Sequence, residues 1–167
     1  MNYIKVTKND IANGEGIGVA LWVSGCTCHC YNCHNPQTWD FNSGVPFTEE
    51  TMQEILIALD RPYISRLTLS GGHPLEPQNA PEILKIVKRV RMVFPNKNIW
   101  IYSGYTWEHI MQGELLAGIM KYTDVLVDGE FVEELKDISL PFRGSSNQRI
   151  INVQESLKQN KVIICQI

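Results

Sequence analysis

The chain has 167 residues, enough for one domain with its own core, and its 44% hydrophobic and 20% charged residues are those of an ordinary globular protein. Fifteen basic against eighteen acidic side chains give a net charge of −3, so composition offers no basic face to neutralise phosphates and argues against nucleic acid as the main partner. No stretch approaches the roughly 20 apolar residues of a membrane span, and MNYIKVTKND at the start lacks the apolar segment of a secretory signal, so a cytoplasmic location with no membrane partner is expected.

The first predicted element is a buried strand over 18–25 (GVALWVSG), which leads directly into a cysteine-rich loop. A helix follows in PFTEETMQEILIALD, with Thr48 as N-cap, Thr51 three residues on, and Ile55, Leu56 and Leu59 on one face. RLTLSGG (66–72) reads as a second strand and residues 80–94 as a second helix, with Ile83, Leu84, Ile86, Val87 and Val90 at helical spacing. The basic run Lys85, Lys88, Arg89, Arg91 fits the solvated face of that helix. NIWIYSG (98–104) is a third strand, TWEHIMQGELLAGIMKY is helical with interruptions, and DVLVDG (124–129) is a fourth strand. QRIINV (148–153) and KVIICQI (161–167) are two further short strands, with Cys165 as a small core residue in the last. No linker, repeat or low-complexity segment divides the chain, so residues 1–167 are expected to form a single domain.

Strands alternating with helices predict parallel βαβ units. A closed eight-unit barrel needs about 200–250 residues or more, so an open doubly wound sheet or an incomplete barrel remains. Either architecture puts its chemistry at the carboxyl ends of the strands. The four regular strands run into SGC, SGG, SGY and DGE, which points to close approach of a ligand to backbone there.

The cysteine loop reads SGCTCHCYNCHNPQTW (24–39), with Cys26, Cys28, Cys30 and Cys33 inside eight residues. In a reducing compartment such a cluster favours metal over disulfides. Three ligand sets compete. All four cysteines on one zinc or iron would demand a contorted loop, because such sites normally use two well-separated pairs. A set including His29 or His34 lacks the longer spacing of a zinc knuckle. Cys26, Cys30 and Cys33 alone form C-x3-C-x2-C and leave out Cys28. Three thiolates on a 4Fe–4S cluster, which takes four for full protein ligation, leave one iron open to a small molecule.

That spacing, after a short apolar strand and one βα unit before SGGHPLEPQN, resembles the radical S-adenosylmethionine enzymes. The segments NGEG (13–16), SGCTCHCYNCHNPQTW, LSGGHPLEPQN (69–79), IWIYSGYTWE (99–108), VLVDGEF (125–131) and FRGSSNQRII (142–151), in this order, narrow the resemblance to the activating proteins of anaerobic (class III) ribonucleoside-triphosphate reductases. The resemblance spans nearly the whole chain. It implies a compact incomplete (β/α) barrel on a mostly parallel sheet, one 4Fe–4S cluster on Cys26, Cys30 and Cys33, and S-adenosylmethionine as cosubstrate. The implied activity is cleavage of S-adenosylmethionine to methionine and a 5′-deoxyadenosyl radical, which takes a hydrogen from one glycine of the reductase large subunit. A reduced flavodoxin-like protein is the implied electron donor. Another small radical enzyme of the same superfamily is the nearest alternative, and a non-enzymatic iron–sulfur or zinc module a more distant one.

By the same resemblance Gly71 and Gly72 hold the methionyl end. The residue before the third cysteine, commonly aromatic in the family, is Asn32 here, so adenine contact would pass to backbone, Tyr31 or His34. Ser103, Tyr102 and Asp128, near later strand ends, are candidates for ribose, carboxylate or a cation. His73 is the main departure, because the family commonly carries an acid after the glycine pair. A neutral imidazole accepts one hydrogen bond, and a protonated one would repel the methionine ammonium. Backbone carbonyls would then carry the recognition, or binding would weaken and depend on pH. Cys28 reads as a passenger thiol. RGSSNQR is either a polar turn or a contact surface, and Trp39 and Trp107 either pack in the core or flank the site.

Overall fold

The structure, a computed structural model, describes residues 1–167. Its strands are β1 (Asn2–Asp10), β2 (Ile17–Val23), β3 (Val45–Pro46), β4 (Ile64–Gly71), β5 (Asn98–Tyr102), β6 (Val125–Asp128) and β7 (Arg149–Asn152). Its helices are α1 (Glu49–Leu59), α2 (Ala80–Val93), α3 (Trp107–Ile110), α4 (Glu114–Met120) and α5 (Val153–Gln159). One sheet holds all the strands in the order β3-β1-β2-β4-β5-β6-β7. The central pairings β2–β4, β4–β5 and β5–β6 are parallel, as the βαβ pattern predicts. The outer pairings β1–β2, β1–β3 and β6–β7 are antiparallel. The sheet is open. The architecture is a mixed α/β fold on a sheet that does not close and is parallel in its middle. A short connection returns the chain from β1 to β2, and no α-helix crosses over between β6 and β7, so these pairs are antiparallel.

The helices share one side. Alternate strand residues line up across the sheet in a row of Leu21, Leu69, Ile101, Leu126 and Ile151, each fully buried. They pack with Ile55 and Leu59 of α1, Ile83 and Val87 of α2, and Ile119 and Met120 of α4. Burying one such side chain is worth about 1.5–3 kcal/mol, so this layer supplies most of the apolar driving force. Thr48 caps α1 as expected, accepting from Thr51 N–H at 3.5 Å while the Thr51 hydroxyl accepts from Thr48 N–H.

The opposite face carries the other set of alternate residues, among them Arg66, Thr68 and Ser70 of β4 and Trp100 and Tyr102 of β5. No helix covers it. Trp100, Val127 and Ile150 form a small second apolar group, and Phe142 meets the Trp100 ring edge-on at 5.5 Å. The NGEG segment folds over Arg66, which is fully buried. Arg66 Nη2 donates to Asp10 Oδ2 at 2.7 Å, Asp10 accepts from the Asn13 amide at 2.7 Å, and Thr68 Oγ1 donates to Asn13 O at 2.9 Å.

TWEHIMQGELLAGIMKY is helical with an interruption, as expected, and forms α3 and α4, while β1, β3 and α5 are additions to the sequence reading. KVIICQI is not a strand: it follows a left-handed turn at Asn160 (φ 50°) and touches β7 through one isolated bridge, Ile151 with Ile164. Cys165 is accordingly only half-buried, against the Trp100 group. No helix is long and apolar enough to cross a membrane.

Candidate metal centre

The cysteine loop leaves the end of β2 and is pinned by backbone before it reaches its first sulfur. Gly25 N–H donates to Thr38 O at 2.7 Å, and Cys26 N–H to Trp39 O at 3.0 Å. From the other side Gly72 N–H donates to Val23 O and His73 N–H to Gly25 O, both at 2.8 Å. The start of the cysteine loop is thus stitched to the glycine-pair loop after β4. Beyond Cys26 the chain has no regular structure until Pro36, and it coils through positive φ at His29 (47°) and Asn32 (53°). Cys33 N–H donates to Cys30 O at 3.1 Å, and the Cys33 sulfur accepts from Asn35 N–H at 3.4 Å.

All four clustered cysteines line one cavity of about 130 Å³, with Gly72 and His73 on its wall. Cys28 is therefore at the site, not outside it. Its sulfur and that of Cys26 lie within 4.8 Å of one another, and the neighbouring Cys28 thiol, against the opposing effect of burial, lowers Cys26 to about 6. The same contact raises Cys28, together with burial and the negative charges of Cys26, Glu130 and Cys30. Burial, more than anything else, also raises Cys30.

The wall opposite is an ordered polar chain. His73 is 1% exposed and Glu76 is 2% exposed. His73 Nδ1 and Glu76 Oε1 are 3.1 Å apart, and His73 Nε2 and Ser103 Oγ are 2.9 Å apart. Ser103 Oγ also accepts from Tyr105 N–H at 3.0 Å. Glu76 Oε1 further accepts from Thr27 N–H at 2.9 Å and Thr27 Oγ–H at 2.8 Å. Burial alone would raise the Glu76 carboxyl, but the His73 and Thr27 hydrogen bonds prevail and hold it at about 2. An ionised carboxylate only accepts, so His73 donates from Nδ1. In the neutral ring Nε2 is then the acceptor. Tyr105 sits edge-on to the His73 ring at 4.2 Å.

Gly71 and Gly72 are glycine for reasons the geometry makes plain. Gly71 has φ +103°, and a Cβ there would meet backbone N and O of Val23 at 2.8 Å. A Cβ on Gly72 would lie 2.6 Å from Gly25 O and 2.9 Å from Thr38 O. Gly72→Ala must push back the segment carrying Cys26, at a cost of about 1–3 kcal/mol. The expected result is a lower denaturation midpoint and less iron retained after anaerobic reconstitution than in the unaltered protein.

The other residues singled out from the sequence are distributed as follows. Tyr31 is 75% exposed on the outer loop, and Asn32 and His34 are exposed beside it, His34 against Phe131 at 5.4 Å. Ser103 joins the His73 chain. Asp128 is buried, and its carboxylate accepts from Trp107 N–H at 2.7 Å and from Arg149 Nε at 3.0 Å, holding α3 and β7 to the end of β6. Trp107 lies in the main core. Trp39 lines the cysteine cavity, stacks on His29 at 4.6 Å, and has a buried indole N–H with no partner.

A second cavity of about 360 Å³ adjoins the first and shares Cys33, Ser70, Tyr102 and Phe131 with it. The RGSSNQR segment forms part of its wall. Gln148 Oε1 accepts from Gly144 N–H at 2.9 Å and from Ser145 N–H at 3.2 Å, while Gln148 Nε2 donates to Gly129 O at 3.0 Å. The segment is thus a closure fastened to the end of β6, more than a polar turn. Thr27, Glu76, Tyr105 and Phe131 were not singled out from the sequence. Only Glu76 had a signal there, as an acid three residues after His73.

Carboxyl strand ends that draw C-x3-C-x2-C and a glycine pair into one cavity define an iron–sulfur protein, and a protein-family model described as "4Fe-4S single cluster domain" matches residues 12–151. The anaerobic ribonucleoside-triphosphate reductase-activating protein of Escherichia coli K12 is 45% identical over 150 residues, covering 89% of this chain and 96% of that protein. The proteins of that name from Pasteurella multocida Pm70 and Enterobacteria phage T4 are 44% and 43% identical, covering 90% of this chain in each case and 96% and 93% of those proteins. The chain belongs to the family of anaerobic ribonucleoside-triphosphate reductase-activating proteins.

Proposed function

We propose that this protein generates a glycyl radical on the large subunit of an anaerobic ribonucleoside-triphosphate reductase. In this reading Cys26, Cys30 and Cys33 hold one 4Fe–4S cluster, and S-adenosylmethionine binds at the iron they leave open. The observation that carries it is the convergence of the cysteine loop and the Gly71–Gly72 turn on one cavity. The residues fit the two groups. Sulfur donors line the cavity, the Gly71–Gly72 turn borders it in close backbone contact with the cysteine loop, and Trp39 beside it has a buried indole N–H without a partner.

When bound, the reduced cluster and S-adenosylmethionine supply one-electron cleavage of the sulfonium C–S bond and a primary-carbon radical that removes a glycine Cα hydrogen. The rest of the work is positional. Gly71 and Gly72 offer backbone to the methionyl end, with His73 beside them. The larger cavity, bounded by Tyr102, Phe131 and the Gln148-fastened segment, suits the adenosine and the entering glycine of the partner. His34 lines its rim, and Tyr31 and Asn32 stand exposed beside it for contact with adenine or the partner. Asp128 serves by fixing the strand ends. A reduced flavodoxin-like protein in the cytoplasm is the donor this reading requires, and the whole chain acts as one unit. An electron carrier or a zinc module would have no use for the second cavity.

The test is incubation of the reconstituted protein with the cognate reductase, S-adenosylmethionine and a low-potential reductant. A glycyl doublet in the electron paramagnetic resonance spectrum of the reductase is expected. Cleavage of S-adenosylmethionine without that doublet would move the assignment to another small enzyme of the superfamily. A colourless protein carrying one zinc would remove the radical chemistry altogether.

A further inference from the structure

The sequence leaves a chemical deficit at the methionyl end: where an acid would meet an ammonium group, the chain has His73. We infer that Glu76 supplies that anion from behind, acting as a positioning residue that orients His73 as an acceptor and ties the cysteine loop to the glycine-pair loop. The inference rests on the functional reading above and deepens it.

Three observations carry it. First, Glu76 is 2% exposed yet has no Lys or Arg partner. Its one ion-pair partner is His73 at 3.1 Å, its other donors are the neutral N–H and O–H of Thr27, and the Cys26 and Cys28 sulfurs lie within 4.8 Å of it. A carboxylate with no Lys or Arg beside it in a nearly dry site favours a cationic ligand. Second, Glu76 orients the ring: it accepts from Nδ1–H, so in the neutral imidazole the acceptor nitrogen, Nε2, faces Ser103. Ser103 Oγ already accepts from Tyr105 N–H, so its one proton is free for His73 or for a ligand that displaces it. Third, the anchor for the carboxylate is Thr27, which lies between Cys26 and Cys28. The side chain that charges the cosubstrate pocket is thus hydrogen-bonded to the loop that carries the sulfurs. Position 73 does not have to be acidic if the charge is delivered three residues later through the ring.

The two roles separate by substitution in the anaerobically reconstituted protein. Glu76→Gln keeps an acceptor oxygen for Thr27 and His73 and removes the charge. It is expected to retain its iron and to bind S-adenosylmethionine at least about tenfold more weakly, equivalent to about 1.4 kcal/mol. 5′-Methylthioadenosine has the nucleoside but no ammonium, and should bind the variant and the unaltered protein equally. A general packing defect would weaken both ligands alike. Glu76→Ala also loses the link to Thr27 and should lose iron as well as affinity. His73→Asp combined with Glu76→Gln returns the charge to the glycine-pair loop and should regain affinity over Glu76→Gln alone. S-adenosylmethionine affinities within twofold for the unaltered protein and Glu76→Gln would overturn the charge role, as would equal losses for the two ligands or a double variant with no recovery. Full iron in Glu76→Ala would overturn the link. A distinct result, unaltered protein that forms its cluster and binds no S-adenosylmethionine, would sink the functional reading and not this inference alone.

Discussion

Cys30→Ala or Cys33→Ala is expected to yield colourless protein with no cluster iron and no glycyl signal, whereas Cys28→Ala keeps about four irons per chain and its activity. Both kinds of cysteine line the same cavity, so proximity does not separate them. Spacing does: Cys26, Cys30 and Cys33 form C-x3-C-x2-C, the three-thiolate set that the proposed function uses, and Cys28 falls outside it. Loss of a true ligand leaves two thiolates for a cluster that is already one short. Iron analysis and the visible absorption band of the reconstituted variants decide it. A Cys28→Ala protein without iron, beside a brown Cys30→Ala protein, would reverse the ligand assignment.

Asp10→Ala is expected to destabilise the fold by about 3–5 kcal/mol, read from urea denaturation, because it strands a buried guanidinium. Arg66 is fully buried, and its Nε and Nη1 have no partner, so Asp10 is its only counter-charge. Burial pulls the Arg66 guanidinium downward, and Asp10 opposes that pull. The variant also frees the Asn13 amide, so the segment that contributes Ala12 and Asn13 to the larger cavity loses its anchor. Asp10→Ala with Arg66→Met removes both charges and should recover most of the loss, since replacing a buried pair by apolar side chains is often neutral. A single Asp10→Ala variant within about 1 kcal/mol of the unaltered protein would mean that the pair is hydrated and contributes little.

Much of this was readable in the linear order of residues, for local reasons. The parallel strands announce themselves as short apolar runs because both faces of a central strand are covered. The α1 cap is visible because a hydroxyl three residues from another is a backbone-scale motif, and C-x3-C-x2-C is visible because loop ligands lie close in sequence. The elements that escaped had weaker local signals. β1 (NYIKVTKND) mixes charges with apolar residues, and only its pairing with β2 makes it a strand. α5 has seven residues, and its start depends on the Asn152 side chain accepting from Glu155 N–H at 3.1 Å. KVIICQI has strand composition, but the ladder ends at β7 and leaves it a single bridge.

From residue order alone came the chemistry: an iron–sulfur loop, a glycine pair one βα unit later, and strands that deliver both to the same end. Folding settled the rest. It left the sheet open, with antiparallel edges. It put Cys28 against Cys26 instead of apart from the site, and it set Glu76 behind His73, with Thr27 reaching across 49 positions of sequence to hold it. Ligand spacing is a property of neighbours along the chain, so sequence can express it. Charge balance in a buried site belongs to residues that meet only when β2 and β4 lie side by side, and no local pattern encodes that meeting.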